Sequence, residues 1–294
     1  MKDKLWLLFI LITVVTWGVW GAFSDLQMDK DNIPETVVYI LWALTMIPCA
    51  IAALIVNKGK FMYDGKSALL GCTVGVLGAG GQLVLFKALS IGPAYIIFPF
   101  ISMSPVVVIT LAALFLKEKA NMWQIFGIVA ALAAILLLSI QTGGDDSPIR
   151  GWLWIVLAIL VLLAWGIQGF FMKFANNSMD AESIFVWMAI SGLVLIPIAW
   201  FMGSTPMSAA EYFAQDGVLV PSLTCFGIQI LNSIGALMLV YAYRYGKAVI
   251  VSPMEGLSPM VTVLLSLIIL SVIPNPLQIA GICCAAFAMY ALSK

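Results

Sequence analysis

Gly92-Pro93-Ala94-Tyr95-Ile96-Ile97-Phe98-Pro99-Phe100-Ile101-Ser102-Met103-Ser104-Pro105 returns 154 residues later as Gly246-Lys247-Ala248-Val249-Ile250-Val251-Ser252-Pro253-Met254-Glu255-Gly256-Leu257-Ser258-Pro259. Both copies keep Gly, Ala, Ile, Pro and the final Ser-Pro in register. The same offset carries Val107, Gln124, Ile125, Gly127 and Ile128 onto Val261, Gln278, Ile279, Gly281 and Ile282. Apolar residues match by chance in so apolar a sequence, but Pro, Gly and Gln do not easily do so in register. Nearer the N-terminus an offset of 148 lays Trp17-Gly18, Gly21 and Phe23 on Trp165-Gly166, Gly169 and Phe171. The chain therefore reads as one unit written twice, over residues 1–145 and 146–294.

The 294 residues are 63% hydrophobic and 10% charged, with a mean hydropathy of +1.09. A soluble domain is roughly 45–50% apolar and about 25% charged, so this surplus has no water-facing surface to occupy. A helix crossing about 30 Å of hydrocarbon needs roughly 20 apolar residues. Such segments fall at about 5–23, 35–56, 67–89, 94–116, 123–140, 151–173, 182–202, 218–242, 248–272 and 275–292. The expected fold is an all-α polytopic membrane protein of ten transmembrane helices, five to a unit. Five is odd, so the second unit must run through the membrane upside down, as inverted repeats do in many transporters.

Basic residues near span ends stay on the cytoplasmic side. With the N-terminus inside, all of the 14 Lys and Arg except Lys30, Lys87 and Arg150 fall there. Both termini are accordingly expected in the cytoplasm, and a multi-pass protein of the bacterial inner membrane follows. The repeat agrees: Lys117-Glu118-Lys119 ends the fourth span inside, and its counterpart Ser271-Val272-Ile273, facing outside, is uncharged. In the longest outer loop Ser208 and Glu211, flanked by Met207 and Tyr212, form the pattern of a capping box with a hydrophobic staple, so a short helix is expected there.

Taken together, the Trp-Gly in the first helix of each unit, the Ala88-Leu-Ser-Ile-Gly-Pro-Ala94 stretch, the Ser-Pro of the following helix, and Leu116-Lys117-Glu118 leading to Gln124 and Gly127 resemble the EamA-type branch of the drug/metabolite transporter superfamily. The resemblance covers nearly the whole chain. It implies export or exchange of small metabolites such as amino acids through a central cavity between the units. Val272 departs from the acidic residue the family pattern places in the second unit.

An ionisable side chain at membrane depth costs a few kcal/mol or more and needs a reason. Glu255 sits well inside a span, between two prolines that free the carbonyls of Val249 and of Glu255 itself. A carboxylate, free carbonyls and the Ser252 and Ser258 hydroxyls thus gather within about two turns. Such a cluster can hold a proton, an alkali cation or a substrate ammonium. The structural alternative is an acid paired for packing or snorkelling toward Lys247. Because Ile101 occupies the same place in the first unit, the fold does not require the charge. Pro99, Pro105, Pro253 and Pro259, equally spaced in both units, are the expected gating positions. Gln82, Gln168, Gln229 and Asn232 are candidate substrate contacts, with interhelical hydrogen bonds as the alternative. Trp17, Trp20 and Trp165 lie too deep for an interfacial belt and either line a cavity or pack, while Lys87 snorkels.

Several classes are excluded or discounted. There is no His, which removes His-based metal sites and Ser-His or Cys-His catalysis. No Asp lies within a span, so an intramembrane aspartyl enzyme cannot be assembled, and no catalytic residue, cofactor or metal is expected. The five Cys have no C-x-x-C spacing and read as small apolar residues. Opposite charges cancel, which argues against nucleic acid. The span glycines Gly71, Gly75, Gly78, Gly80 and Gly81 serve close helix packing, not phosphate binding. Asn176-Asn177-Ser178 is a glycosylation pattern on the wrong side of the membrane, and Glu118 reads as a helix-end charge. The expected function is a secondary active transporter that exports or exchanges a small polar metabolite by alternating access, driven by proton exchange through Glu255 or by the substrate gradient. A sugar or nucleoside permease and a non-catalytic membrane subunit are the alternatives. Its expected partners are a small-molecule substrate and the lipid bilayer, with a homodimer left open.

Overall fold

A computed structural model describes residues 4–31, 33–89, 91, 97, 100–139, 152–202, 207–270 and 275–294, and at residues 24–31, 86, 89, 139, 266, 267, 269 and 270 it describes the backbone alone. Pro99 lies outside the described residues. The helices are α1 (Leu5–Asp31), α2 (Glu35–Val56), α3 (Gly65–Leu89), α4 (Ser104–Phe115), α5 (Met122–Ser139), α6 (Leu153–Ala175), α7 (Ala181–Val194), α8 (Ile196–Phe201), α9 (Ala209–Phe213), α10 (Leu219–Tyr245), α11 (Ala248–Glu255), α12 (Ser258–Leu270) and α13 (Pro276–Leu292). No strand occurs among the described residues.

Seven helical stretches among the described residues are long and apolar enough to cross a membrane, and Ser104–Phe115, Met122–Leu138 and Pro276–Leu292 are shorter apolar helices. These last three correspond to the expected fourth, fifth and tenth spans. The expected seventh span is interrupted at Leu195, where Pro197 in the first turn of α8 starts a new helix. A proline removes a donor from the ladder, and the chain turns there. The capping box in the outer loop is present: Ser208 Oγ accepts from the Glu211 N–H, and the Glu211 carboxylate accepts from the Ser208 N–H at 2.7 Å.

The packing repeats itself under the offsets found in the sequence. α1 lies along α10, and α3 lies along α6. In the first pair Trp17 Nε1 donates to the Asn232 carbonyl at 3.0 Å, and in the second Trp165 Nε1 donates to the Gly78 carbonyl at 3.3 Å. The indole of Trp17 covers Gly235 and that of Trp165 covers Gly81. A Cβ on Gly18 would fall on Val261, 2.7 Å from its Cγ1, while one on Gly166 would fall on Val107, again 2.7 Å from Cγ1. Glycine is required at both places because no side chain fits between the helices.

α5 packs along α13, where Gly127 faces Leu292 Cγ and Gly281 faces Leu138 Cγ. Both helices start with the same cap. Asn121 and Gln124 exchange hydrogen bonds of 2.9 and 2.8 Å, and Asn275 and Gln278 exchange bonds of 3.0 and 2.8 Å. Of the α3 glycines read as packing positions, Gly71, Gly75, Gly78 and Gly81 meet a neighbouring helix, and Gly80 faces open space. Gly71 meets Trp187, Gly75 meets Ser191 and Gly78 meets the Gln168 amide, so α3 sits close against α6 and α7.

Candidate functional site

The helix that carries Glu255 is broken where its sequence says it should be. α11 ends at Glu255, Gly256 and Leu257 form a turn, and α12 restarts at Ser258 with Pro259 in its first turn. In the first half the turn falls at Ser102 and Met103, and α4 restarts at Ser104 with Pro105. The Gly256 and Leu257 N–H groups donate to the Ser252 and Met254 carbonyls at 3.4 and 3.1 Å. Pro253 sits inside α11.

The break presents the Glu255 carboxyl to Tyr243 of α10 and to the turn of helix that bears Ser252. Tyr243 and Ser252 are fully buried. Tyr243 Oη, Ser252 Oγ and Glu255 Oε2 are buried atoms without a hydrogen-bond partner among the described residues. Buried polar atoms are nearly always paired, so three orphans at one point are unusual. The matching place in the first half is apolar: Ile101 is buried in a cluster with Leu85, Ala88, Ile97, Ala158 and Val161. Lys247 does not turn to Glu255 but donates to the Lys119 carbonyl at 2.8 Å, which disposes of the snorkelling alternative.

A second polar layer lies between α1, α2 and α10. Trp20 Nε1 donates to Gln229 Oε1 at 2.9 Å, and Trp42 Nε1 donates to Asn232 Oδ1 at 2.8 Å. Below them the Thr45 and Ser233 hydroxyls bond at 2.7 Å. These two amides are therefore engaged in interhelical bonds, the alternative raised by their sequence. Gln168 of α6 lies over Gly78, and Gln82 is half-buried one turn along the same face of α3. Gln82 and Gln168 lie at the α3–α6 pair, apart from the α1–α2–α10 layer. Thus the sequence-named residues form three groups, with Glu255 in its own.

Glu118 was expected to be only a helix-end charge, and the structure gives it a larger part. Its Oε2 accepts the Val249 N–H of α11 at 3.1 Å, joining segments 131 residues apart. Exposed N–H groups and the helix dipole favour an anion at that end. Lys173 and Lys247 lie near it, and Lys173 Nζ donates to the carbonyls of Tyr243 and Gly246 at 2.9 and 2.6 Å. Burial raises the Glu118 carboxyl above its usual range, outweighing the Val249 N–H and the neighbouring ammonium groups that lower it. At this same lysine-bearing end a cleft of about 320 Å³ opens among Lys4, Gln124, Lys247 and Lys294. Asn176 is buried, with Nδ2 donating to Met172 and Val240 carbonyls at 3.0 and 3.1 Å, so its glycosylation pattern is unusable in the fold.

The sequence pattern of the EamA-like transporter family matches residues 4–140 and again residues 152–294. The chain belongs to this family. Relatives of this EamA-like transporter include an uncharacterized protein of Methanocaldococcus jannaschii, 32% identical over 131 residues, which are 45% of this chain and 93% of that protein. An uncharacterized transporter of Helicobacter pylori is 23% identical over 253 residues, covering 84% of this chain and 80% of the relative. An uncharacterized transporter of a Sinorhizobium species is 30% identical over 143 residues, 47% of this chain and 96% of its own. One solved crystal structure aligns with 96% of this EamA-like transporter and 97% of itself at a TM-score of 0.70. At 14% identity that is a likeness of fold. Members of the family are transporters, so the chain is a multi-pass membrane transport protein that handles a small-molecule substrate within a bilayer.

Proposed function

We propose that this EamA-like transporter is a secondary active exporter or exchanger of a small polar metabolite such as an amino acid, working by alternating access and exchanging a proton at Glu255. The observation that carries the reading is Glu255 Oε2, buried and without a hydrogen-bond partner among the described residues, at a proline-bounded helix break. Desolvation of a carboxylate favours its protonated form, which suits a group that must load and release a proton.

The alternating-access part rests on ten spans in two inverted units, residues 1–145 and 146–294. Paired contacts support it: Gly18 on Val261 against Gly166 on Val107, and Asn121-Gln124 against Asn275-Gln278. The family pattern matching twice supports the same division. The helix breaks beside Pro105 and Pro259 then serve as gates, with Pro99 and Pro253 one stage earlier in each half. Both termini lie in the cytoplasm, which the basic residues support.

Cells overexpressing the chain should release one polar metabolite above the control level, found by untargeted comparison of the medium. The purified chain in liposomes should then export that metabolite in response to a pH gradient, and Glu255→Gln should abolish this response while leaving exchange intact. No excess release in cells removes the exporter reading. Proton-driven flux that survives Glu255→Gln with unchanged pH dependence removes Glu255 from the mechanism.

A further inference from the structure

Glu255 stands on α11, and the hydroxyl that faces it comes from α10. Tyr243 and Ser252 expose none of their surface, and their oxygens and Glu255 Oε2 lack hydrogen-bond partners among the described residues. A Cβ on Gly169 of α6 would lie 3.0 Å from Tyr243 Oη, so the phenol is held against a bare stretch of helix. On the other side, a Cβ on Gly256 would meet Ile135 of α5 and lie 3.6 Å from Pro105 Cγ of α4. The helix break is thus packed against apolar groups of α4 and α5, with the Tyr243 and Ser252 hydroxyls on the α10 side. In the sequence of the first half Ile101, Phe98 and Leu89 occupy the positions of Glu255, Ser252 and Tyr243.

We propose that Tyr243 and Ser252 are the positioning residues of the Glu255 proton site, with the Tyr243 hydroxyl setting how tightly the proton is held. The proposal rests on the reading of Glu255 as the proton carrier. When the carboxyl is ionised, Tyr243 donates its O–H to it and Ser252 supplies a second donor. When the proton binds, the acid O–H becomes a third donor, and the three groups can bond in a closed ring with no net charge. A donor to the ionised form favours that form, so Tyr243 lowers the proton affinity and keeps release feasible in an apolar pocket.

Few other charges compete. α4, α5 and α12 carry no titratable side chain. From α6, Lys173 turns to the Tyr243 and Gly246 carbonyls. On α10 Tyr241 donates to Glu182 of α7 and Arg244 to the Met179 carbonyl, and Tyr245 stacks on Phe9. Lys247, preceding α11, donates to Lys119, and Glu118 holds the Val249 N–H. α13 contributes Cys283, Cys284 and Tyr290, and α1 has titratable groups only in its last turns, from Asp25 onward.

The test uses the full chain in detergent and dicyclohexylcarbodiimide, an apolar reagent that modifies protonated carboxyl groups, with labelling at Glu255 read by mass spectrometry across pH. It requires neither the substrate nor transport. Wild-type labelling should fall with rising pH around a midpoint. Tyr243→Phe should raise that midpoint by about one pH unit, a tenfold gain in proton affinity. Ser252→Ala should move it the same way by less. Gly169→Ala keeps the hydroxyl but displaces it, and should also raise the midpoint, which provides a second variant if Tyr243→Phe fails to fold. An unmoved midpoint in the folded variants, or no labelling of wild type between about pH 5 and 9, overturns the proposal. A shifted midpoint with pH-independent flux keeps it and removes the proton-coupled transport reading; an unshifted midpoint with proton-driven flux does the reverse.

Discussion

Adding one methyl group at Gly18 should damage the protein as much as adding one at Gly166. In Gly18→Ala the new Cβ falls on Val261, 2.7 Å from Cγ1 and 2.9 Å from the Ser258 carbonyl. In Gly166→Ala it falls on Val107, 2.7 Å from Cγ1 and 3.1 Å from the Ser104 carbonyl. Carbon atoms pack comfortably at about 3.5–4.0 Å, so each helix pair must separate by roughly an ångström. Neither obstacle can rotate aside, since one is a branched side chain at its root and the other is backbone. Overpacking of this kind costs about 1–3 kcal/mol, against a gain of ~0.5–1 kcal/mol from replacing Gly by Ala in a helix. The loss wins, and Tm should fall by a few degrees in both variants, at roughly 2–4 °C per kcal/mol for a domain of 150–250 residues. Intrinsic fluorescence of the 10 Trp, followed on heating in detergent at one scan rate, reads the change. Gly80→Ala is the control, because nothing lies within 4 Å of its added Cβ. If one variant loses stability and the other matches Gly80→Ala, the two contacts are not equivalent and the duplicated architecture is refuted.

Glu118 should make the contact with α11 pH-dependent. Its carboxyl is raised by burial in the closed contact, so that form binds a proton more tightly than the solvated one. The contact should therefore strengthen as pH falls through the range just above the ordinary glutamate value of about 4.3 and weaken as pH rises through it. Accessibility of a cysteine at Ala120 should follow that trend and lose it in Glu118→Gln; an identical pH profile in both would sink the idea. Gln229→Leu should lower Tm by the equivalent of about 0.5–1.5 kcal/mol, since it strands the Trp20 N–H, and an unchanged Tm would mean that the bond contributes nothing. For topology, Lys60→Cys should resist a membrane-impermeant thiol reagent added to intact cells, whereas single cysteines placed at Asp145 and Gln215 should react; labelling at position 60 would invert the orientation.

Packing glycines and capping residues were legible because local geometry chooses them. Gly18, Gly166, Gln124 and Gln278 each proved to sit at such a contact. The break after Glu255 was equally legible, because proline acts on its own helix. Residues whose meaning depends on a distant partner were not. Tyr243 reads as an unremarkable tyrosine in a span, and only the packing of α10 on α11 brings it to Glu255. Trp42 likewise gains its role from Asn232, 190 residues away. Glu118 looked like surface charge because its neighbours in sequence are lysines, whereas its partner is a backbone N–H at Val249. The shared hydrogen-bonding chemistry of Gln229 and Asn232 left substrate contact and helix adhesion undecided until the tryptophan partners were seen.

The bond from Glu118 to Val249 ties together segments 131 residues apart, and the residue at the corresponding place in the second half of the sequence is the uncharged Val272. In the proposed alternating-access cycle, matching halves alone would populate the two states equally. A buried hydrogen bond contributes about 1 kcal/mol net, which weights one state over the other roughly fivefold. This weighting cannot set the direction of net flux, which gradients alone decide. In the proposed cycle it would set which membrane face the resting carrier samples, and hence the concentration at which solute is captured from each side. A single side chain at the rim can therefore make the carrier's half-saturation unequal on its two faces while its equilibrium remains the same.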